Sequence, residues 1–138
     1  MISTVEPVAN KISLASESSS LLILEDWINA LCELYQVSVE QYGNVLIALT
    51  EAVNNAIIHG NKNSSDKKTE IEYNIQDNTI AFTITDEGGG FDYNDLPDPT
   101  SPENIEKPQG RGIFLMNHLA DEVSFIDPGN VVELKFSL

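Results

Sequence analysis

Apolar residues repeat along the chain with two different periods, and each period predicts one kind of element. A spacing of three and four residues is typical of a helix that buries one face, and it occurs in residues 21–35, 38–60 and 112–120. Strict alternation is typical of a half-buried strand, and it occurs in residues 11–14, 71–75, 80–84, 123–126 and 131–136. This order predicts an α+β fold, a two-layer α/β sandwich with helices on one face of a mixed, mostly antiparallel sheet.

Cap and turn signals mark the ends of several elements. Ser38 stands three residues before Gln41, which is the spacing of a capping box at the start of the second helix. Asp77-Asn78 separates two alternating segments and predicts a tight hairpin turn. Residues 127–130 separate the last two predicted strands in the same way. We therefore expect a sheet built largely from hairpins.

Residues 91–109 show neither period, and they hold four of the six prolines. Acidic residues are frequent between positions 86 and 106, where no lysine or arginine occurs. A structureless insert of this length is uncommon in a compact domain unless it is functional or disordered, and a solvated, self-repelling loop is the simpler interpretation. Within a single domain spanning residues 1–138, we expect a mobile lid at about residues 91–109.

The overall charge narrows the range of functions. The 138 residues carry a formal net charge of −15, which argues against binding nucleic acid or an anionic membrane, because both require a basic face. The single cysteine, Cys32, cannot form an internal disulfide, and neither a signal-like N-terminus nor a membrane-length apolar segment is seen. We therefore expect a cytoplasmic protein that binds neither nucleic acid nor membrane.

A carboxylate and an amide fall on one face of the second predicted helix. Glu51 and Asn55 are four residues apart, so they lie one turn apart on the same side. Apolar residues, among them Ile47 and Ile58, flank this pair, and burying such polar groups without partners would be costly. A bound ligand would satisfy them; alternatively, they are simply an exposed polar pair.

Five of the eight glycines fall in two clusters. Residues 88–90 follow a predicted strand and Asp86, whose carboxylate can accept a hydrogen bond from an exocyclic amine, while glycine lets the backbone approach a ligand closely. A flexible turn would have the same composition. Gly110-Arg111-Gly112 opens the third predicted helix, and helix N-termini bind anions. Arg111 is the only arginine, and arginine binds phosphate with paired hydrogen bonds.

The order of these motifs resembles that of a known family. Glu-x-x-x-Asn on a helix, Asp-x-Gly-x-Gly after a strand, and Gly-x-Gly at a helix start are similar to the asparagine box and the two glycine boxes of the GHKL ATP-binding fold, which gyrase, histidine kinases and MutL share. Residues 50–60 look most like the anti-sigma-factor serine kinases of bacterial partner-switching systems. The resemblance covers nearly the whole chain.

The resemblance implies a role for each matching residue. Asn55 would hold Mg²⁺ on the phosphates of ATP, Glu51 would act as the general base, and Asp86 would receive the adenine amine. The remaining matches would line the adenine pocket, at Gly88 and Gly90, or contact the phosphates, at Lys107, Gly110, Arg111 and Gly112.

Two departures from the family pattern leave alternatives open. Some members carry a phosphate-sensing arginine just before the second glycine box, where this chain has Lys107-Pro108. Either Arg111 or Lys107 takes over that role, or phosphoryl transfer is weak. In addition, Asn54 adjoins Asn55, so a shift of one residue along the helix would exchange the Mg²⁺ ligand.

These expectations define two main functions. The first is an ATP-dependent serine protein kinase and anti-sigma factor that, as a homodimer, phosphorylates an anti-anti-sigma partner and sequesters a sigma factor. The second is a non-catalytic nucleotide-binding module that sequesters a protein partner. The catalytic half of a histidine kinase is disfavoured, because we expect no phospho-accepting helical hairpin before the domain. Glu51 favours the first function, since a general base contributes about 10²–10⁴ in rate and binding alone does not need one.

Overall fold

Three helices and five strands make up the described part of the chain. The computed structural model describes residues 9–64, 66–88, 108–126 and 130–138, with the backbone alone at residues 108–111. In chain order the elements are β1 (Lys11–Ala15), α1 (Ser20–Leu34), α2 (Val39–Asn55) with a π-helical turn (Ala56–Gly60), β2 (Lys68–Gln76), β3 (Thr79–Thr85), α3 (Pro108–Leu119), β4 (Glu122–Ile126) and β5 (Val131–Ser137).

The strands form one sheet in the order β1-β2-β3-β5-β4. Each neighbouring pair of these strands is antiparallel, so the parallel component that "mixed" implied is absent from the described sheet. In β2, β3 and β5 alternate residues are buried, as the period of two predicts, and the helices cover that face. The predicted two-layer α+β sandwich is confirmed.

Aromatic rings bind the first helix to the centre of the sheet. Phe82 on β3 is opposite Tyr73 on β2, and the ring of Trp27 lies over both, with centroid distances of 5.9 Å to Tyr73 and 6.2 Å to Phe82. The Trp27 indole N–H donates to the Ala9 carbonyl at 2.8 Å. Trp27 is therefore a core residue whose one polar atom is satisfied.

The buried face of α1 differs from the predicted stripe at its C-terminal end. Cys32 is buried, and burial raises the pKa of its thiol to about 11. Tyr35, which the spacing placed in the buried stripe, is 41% exposed and shares a hydrogen bond of 3.1 Å between its hydroxyl and that of Tyr73. The helix ends at Leu34, and Tyr35 is its C-cap: the Tyr35 N–H still donates to the Leu31 carbonyl at 3.1 Å, while its ring packs against Tyr73 with a centroid distance of 5.8 Å.

The β2–β3 hairpin turns where the sequence predicted. Asp77 and Asn78 both have positive φ, 51° and 60°. Two such residues in succession are the backbone of a type I′ turn, whose twist suits antiparallel strands. The antiparallel pairing of the last two strands is confirmed as well, with Ile126 of β4 paired to Val131 of β5. Residues 127–129 of the turn predicted between them lie outside the described residues.

Helix α2 begins with a side-chain cap and ends in a widened turn. The Ser38 hydroxyl accepts from the Gln41 backbone N–H at 3.1 Å, whereas the Gln41 side chain donates to the Ser137 carbonyl instead of closing the predicted capping box. Beyond Asn55 the backbone hydrogen bonds join residues five positions apart instead of four, and the Asn61 N–H donates to the Ala56 carbonyl at 2.8 Å. Such π turns occur often at functional sites.

The third helix starts four residues earlier than its apolar pattern predicted. It begins at Pro108, and proline is favoured at the first helical position because its fixed φ suits the helix and its missing N–H is not needed there. The second glycine cluster therefore lies within the first turns of α3 rather than just at its start. Of the expected lid, residues 91–107 lie outside the described residues. In the part of the chain described, no helix is long and apolar enough to cross a membrane.

Candidate functional site

The carboxylate and the amide of α2 face the second glycine cluster. Helix α3 packs against α2, and a Cβ atom placed on Gly112 would lie 3.1 Å from Glu51 Oε2, 3.1 Å from Asn55 Nδ2 and 3.4 Å from Asn55 Oδ1. Both polar side chains are only partly exposed. Residues separated by about sixty positions in sequence thus meet at one point, and glycine leaves room there for their polar atoms.

The first glycine cluster meets the end of the π turn. A Cβ on Gly60 would lie 2.5 Å from the Asp86 carboxyl carbon, and a Cβ on Gly88 would lie 2.7 Å from the Gly60 carbonyl carbon. Such distances are too short for any other residue type without movement. The loop that carries Asp86 therefore lies directly against the turn that extends α2.

Burial disfavours the charged form of Asp86, and two neighbouring groups partly stabilise it. Burial raises the pKa of the Asp86 carboxyl, whereas the Gly88 N–H, which donates to Asp86 Oδ1 at 2.7 Å, and the Lys67 ammonium act in the opposite direction. A half-buried carboxylate beside a backbone donor is suited to accept one further hydrogen bond from a ligand. Helix α2 therefore carries Glu51 and Asn55 at one half of the site, and its terminal turn lies against the loop that carries Asp86 at the other half.

A comparison with known protein families identifies the domain. The family described as the histidine kinase-like ATPase domain matches residues 14–136, nearly the whole chain. The chain belongs to this family. The match confirms the resemblance to the GHKL fold inferred from the three motifs.

Relatives of this ATPase domain include several anti-sigma F factors. The chain is 32% identical over 91 residues to the anti-sigma F factor of Bacillus subtilis, which covers 63% of this chain and 61% of that protein. It is 31% identical over 105 residues to the anti-sigma F factor of Geobacillus kaustophilus, covering 71% of this chain and 70% of that protein. The matched part thus spans less than two thirds of the length of the Bacillus relative.

A solved structure shares the fold. The histidine kinase domain of the blue-light activated histidine kinase of Erythrobacter litoralis superposes with a TM-score of 0.55, covering 87% of this chain and 60% of that one. The sequence identity is 18%, so the similarity concerns the fold alone.

The structure brings five of the predicted site residues together, and other predicted residues lie outside the part that it describes in full. Glu51, Asn55 and Gly112 converge at one end, and Asp86 and Gly88 lie at the other. The backbone of residues 110 and 111 belongs to α3, while two further predicted residues, Gly90 and Lys107, lie outside the described residues.

Two residues of the site were missed by sequence reasoning. Gly60 was interpreted only as the end of the predicted helix 38–60, and no role was predicted for Asn61. In the structure Gly60 contacts the Asp86 carboxylate, and Asn61 is completely buried. The one available signal was the Asn61 position itself, because a polar residue directly after a helix end often satisfies backbone groups.

The oxygen atoms at the site suit a cation that is coordinated mostly by phosphate and water and only partly by the protein. Within residues 9–64, 66–88, 108–126 and 130–138, no group of three or more His, Cys, Asp and Glu side chains could hold a metal ion by itself. At the Gly112 cradle the Asn55 amide offers a hard oxygen atom, next to the Glu51 carboxylate. Mg²⁺ binds through few protein oxygens when phosphates and water complete its shell, so Asn55 fits Mg²⁺ bound together with a nucleotide.

Replacing Gly60 with alanine should destabilise the domain by about 1–3 kcal/mol, because the new Cβ would overlap the Asp86 carboxylate. The free energy of unfolding in urea measures this. Gly43→Ala is the matched control: Gly43 lies within α2 with no atom within 4 Å of the added Cβ, so alanine should stabilise the helix by about 0.5–1 kcal/mol. Equal effects of the two substitutions would contradict the close packing at Gly60.

Proposed function

We propose that this chain is an ATP-dependent serine protein kinase and anti-sigma factor, which phosphorylates an anti-anti-sigma partner and sequesters a sigma factor. The observation that carries the proposal is the convergence of Glu51 and Asn55 on Gly112 in a histidine kinase-like ATPase domain. The similarity to anti-sigma F factors supports the choice of substrate and partner. Nucleotide binding alone would explain Asn55 but not a carboxylate one turn away from it.

In this proposal the two halves of the site bind opposite ends of ATP. Asp86 accepts a hydrogen bond from the adenine amine, with Gly88 and Gly90 lining the base pocket. Asn55 holds Mg²⁺, which when bound would neutralise part of the phosphate charge. Gly110, Arg111 and Gly112 contact the phosphates from α3.

Local positive charge is needed because the chain as a whole carries −15 and would repel a triphosphate. We assign this role to Arg111 and Lys107, the two basic residues of the second glycine cluster and its flank. Lys67 already acts electrostatically on Asp86 at the other end of the site. The long-range repulsion is therefore countered where the ligand would lie.

Glu51 is the proposed general base. As the serine oxygen of the partner attacks the γ-phosphorus of ATP, Glu51 accepts the serine proton. A bond forms between the serine oxygen and phosphorus, the bond from phosphorus to the β,γ-bridging oxygen breaks, and ADP leaves with that oxygen. Phosphoryl transfer requires little covalent participation by the protein, so positioning, charge neutralisation and one base are sufficient.

The proposed assembly is a homodimer in the cytoplasm, where it would sequester its sigma factor. The relatives carry the name anti-sigma F factor, and that name supports a sigma factor as partner. Sedimentation at micromolar concentration tests the dimer, and a monomer there would contradict it.

The direct test of the function mixes the purified chain with γ-labelled ATP, Mg²⁺ and the candidate partner proteins encoded beside its gene. We expect the label to appear on a serine of one partner. If the chain binds ATP and a partner but transfers no label to any of them, the non-catalytic binder is the correct function. If it does not bind ATP, the assignment of the site fails entirely.

Asn55→Ala should remove most of the Mg²⁺-dependent part of ATP affinity, at least about tenfold, if an oxygen ligand to Mg²⁺ is worth as much as a hydrogen bond to a charged group, about 1.5–3 kcal/mol. Calorimetry with and without Mg²⁺ measures this part. Asn54→Ala is the matched control, since Asn54 is the adjacent, similarly exposed asparagine of α2. If Asn54→Ala loses the Mg²⁺ dependence and Asn55→Ala keeps it, the Mg²⁺ ligand is Asn54.

A further inference from the structure

A fully buried asparagine joins three separate parts of the chain behind the site. Asn61, directly after the π turn, has no exposed surface. Its amide nitrogen is 3.0 Å from Ser16 Oγ, 3.1 Å from the Lys68 carbonyl oxygen and 3.3 Å from Thr69 Oγ1, and its Oδ1 accepts from the Glu87 N–H at 2.8 Å. The end of β1, the start of β2 and the loop after β3 are thereby held together.

A neutral amide suits this position because it can donate and accept hydrogen bonds at once. The Ser16 hydroxyl already donates its hydrogen to the Lys67 carbonyl at 2.8 Å, so its oxygen is available to accept from Asn61. The Lys68 carbonyl can only accept, and the Glu87 N–H can only donate. An apolar side chain would leave buried backbone groups unsatisfied, which is costly. The pattern of neighbours thus requires a donor and an acceptor in one side chain.

The same network fixes the peptide group that follows Asp86. Its N–H, contributed by Glu87, is held by Asn61 Oδ1, and its carbonyl oxygen accepts from the Asn130 side-chain amide at 3.2 Å. The Asp86 N–H in turn donates to the Asn130 carbonyl at 3.0 Å. Backbone bonds on both sides of Asp86 are therefore held by two asparagines from distant parts of the chain.

The Asp86 side chain has little freedom once this backbone is fixed. Gly88 donates to its Oδ1, and Gly60 leaves just enough room for the carboxylate. A displaced peptide would shift the carboxylate against Gly60 or break its bond to Gly88. The direction of the remaining acceptor positions of Asp86 thus depends on Asn61 and Asn130.

We propose that Asn61 and Asn130 are positioning residues that set the base selectivity of the site. By fixing the peptide between Asp86 and Glu87, they aim the carboxylate at a ligand that presents an exocyclic amine, and so favour adenine over a purine with a carbonyl at that position. The inference rests on the proposed role of Asp86 as the acceptor of the adenine amine.

The test compares the dissociation constants of ATP and inosine triphosphate, which has a carbonyl in place of the amine, by calorimetry with Mg²⁺. We expect Asn61→Ala to weaken ATP binding about tenfold, because the displaced carboxylate would lose roughly the energy of one hydrogen bond to the adenine amine. The same variant should weaken the binding of inosine triphosphate much less. The preference for ATP therefore falls. Asn130→Ala should act in the same direction but less, because its backbone carbonyl still binds the Asp86 N–H. Asn74→Ala, on the exposed side of β2, is the control and should leave both constants unchanged.

The selectivity ratio separates positioning from plain stabilisation. If Asn61→Ala lowers the free energy of unfolding while the folded variant keeps the wild-type ratio, Asn61 is structural only and the inference is wrong. If Asn61→Ala does not fold, as judged by circular dichroism, Asn130→Ala decides, and an unchanged ratio there overturns the inference. If the wild type binds ATP without preferring it to inosine triphosphate, the role of Asp86 itself is wrong and the inference falls with it. If the wild type binds neither nucleotide, the proposed function fails first.

Discussion

Glu51→Gln should slow phosphoryl transfer to the protein substrate at least about a hundredfold, which is the usual contribution of a positioned general base. Glutamine keeps the shape of the side chain and an oxygen that can accept hydrogen bonds, but it cannot take the serine proton at neutral pH. Because Asn55 and the glycines of α3 remain, ATP binding should be almost unchanged. Sequestration of the sigma factor should persist, since it depends on the nucleotide-bound surface and not on the transfer.

Initial rates at saturating ATP and Mg²⁺ measure this effect, and calorimetry measures ATP binding in parallel. Glu40→Gln is the matched control: it removes one glutamate from the first turn of the same helix, where Glu40 is exposed, and it should leave the rate unaltered. A wild-type rate in Glu51→Gln would show that another group accepts the proton. A wild type that transfers nothing to its true partner would favour the non-catalytic module.

Asp86→Asn should weaken ATP binding by about ten- to a hundredfold. The Gly88 N–H now donates to Asp86 Oδ1, and in the variant it should retain the amide oxygen, which leaves the amide nitrogen directed toward the base. Two donors, that nitrogen and the adenine amine, would then face each other. Losing a hydrogen bond to a charged acceptor costs about 1.5–3 kcal/mol, which corresponds to the expected change in the dissociation constant.

Calorimetry with ATP tests this prediction, and Glu87→Gln is the control. Glu87 lies in the same loop and its carboxylate accepts from the Lys68 N–H, so glutamine removes one negative charge while keeping an acceptor. Only Asp86→Asn should lose affinity. Unchanged ATP affinity in Asp86→Asn would end the nucleotide assignment of this pocket.

Asp86→Asn should weaken ATP binding but slightly increase the free energy of unfolding of the protein without ATP. Burial raises the pKa of Asp86 above its unfolded value, so the folded state holds this proton more tightly than the unfolded state does. The contribution of Asp86 to stability therefore falls as pH rises from its pKa in the unfolded state through its higher pKa in the folded state. At neutral pH the charge of Asp86 disfavours folding. We expect the free energy of unfolding without ATP to be slightly higher for Asp86→Asn than for the wild type at pH 7, and equal for the two in acid.

Much of the fold was predictable because its signals are local. Alternation of apolar residues depends only on the pleat of a strand, so the five strands were found within a residue or two, apart from the longer start of β2 at Lys68. The Asp77-Asn78 turn follows from the tolerance of these residues for positive φ. The pairing of Glu51 with Asn55 on one face follows from helical spacing. None of these required knowledge of a distant residue.

The helix boundaries that were predicted wrongly depend on features that the periodic spacing of apolar residues does not report. Tyr35 continues the apolar spacing of α1 in the sequence, yet the helix ends at Leu34 and Tyr35 is 41% exposed. Helix α3 starts at Pro108, where the glycines that follow carry no apolar signal to extend the pattern backward. The π turn after Asn55 leaves no trace in the order of apolar residues.

By itself the sequence determined the order of elements, the face shared by Glu51 and Asn55, and the motifs that identify the family. Only the tertiary structure decided that Gly112 meets that pair and that Asp86 lies against Gly60. It also decided that Asn61 is buried and bonded to the loop of Asp86. The physical reason is that these contacts join residues far apart in the chain, whose approach is set by the packing of helices on the sheet and not by any local preference.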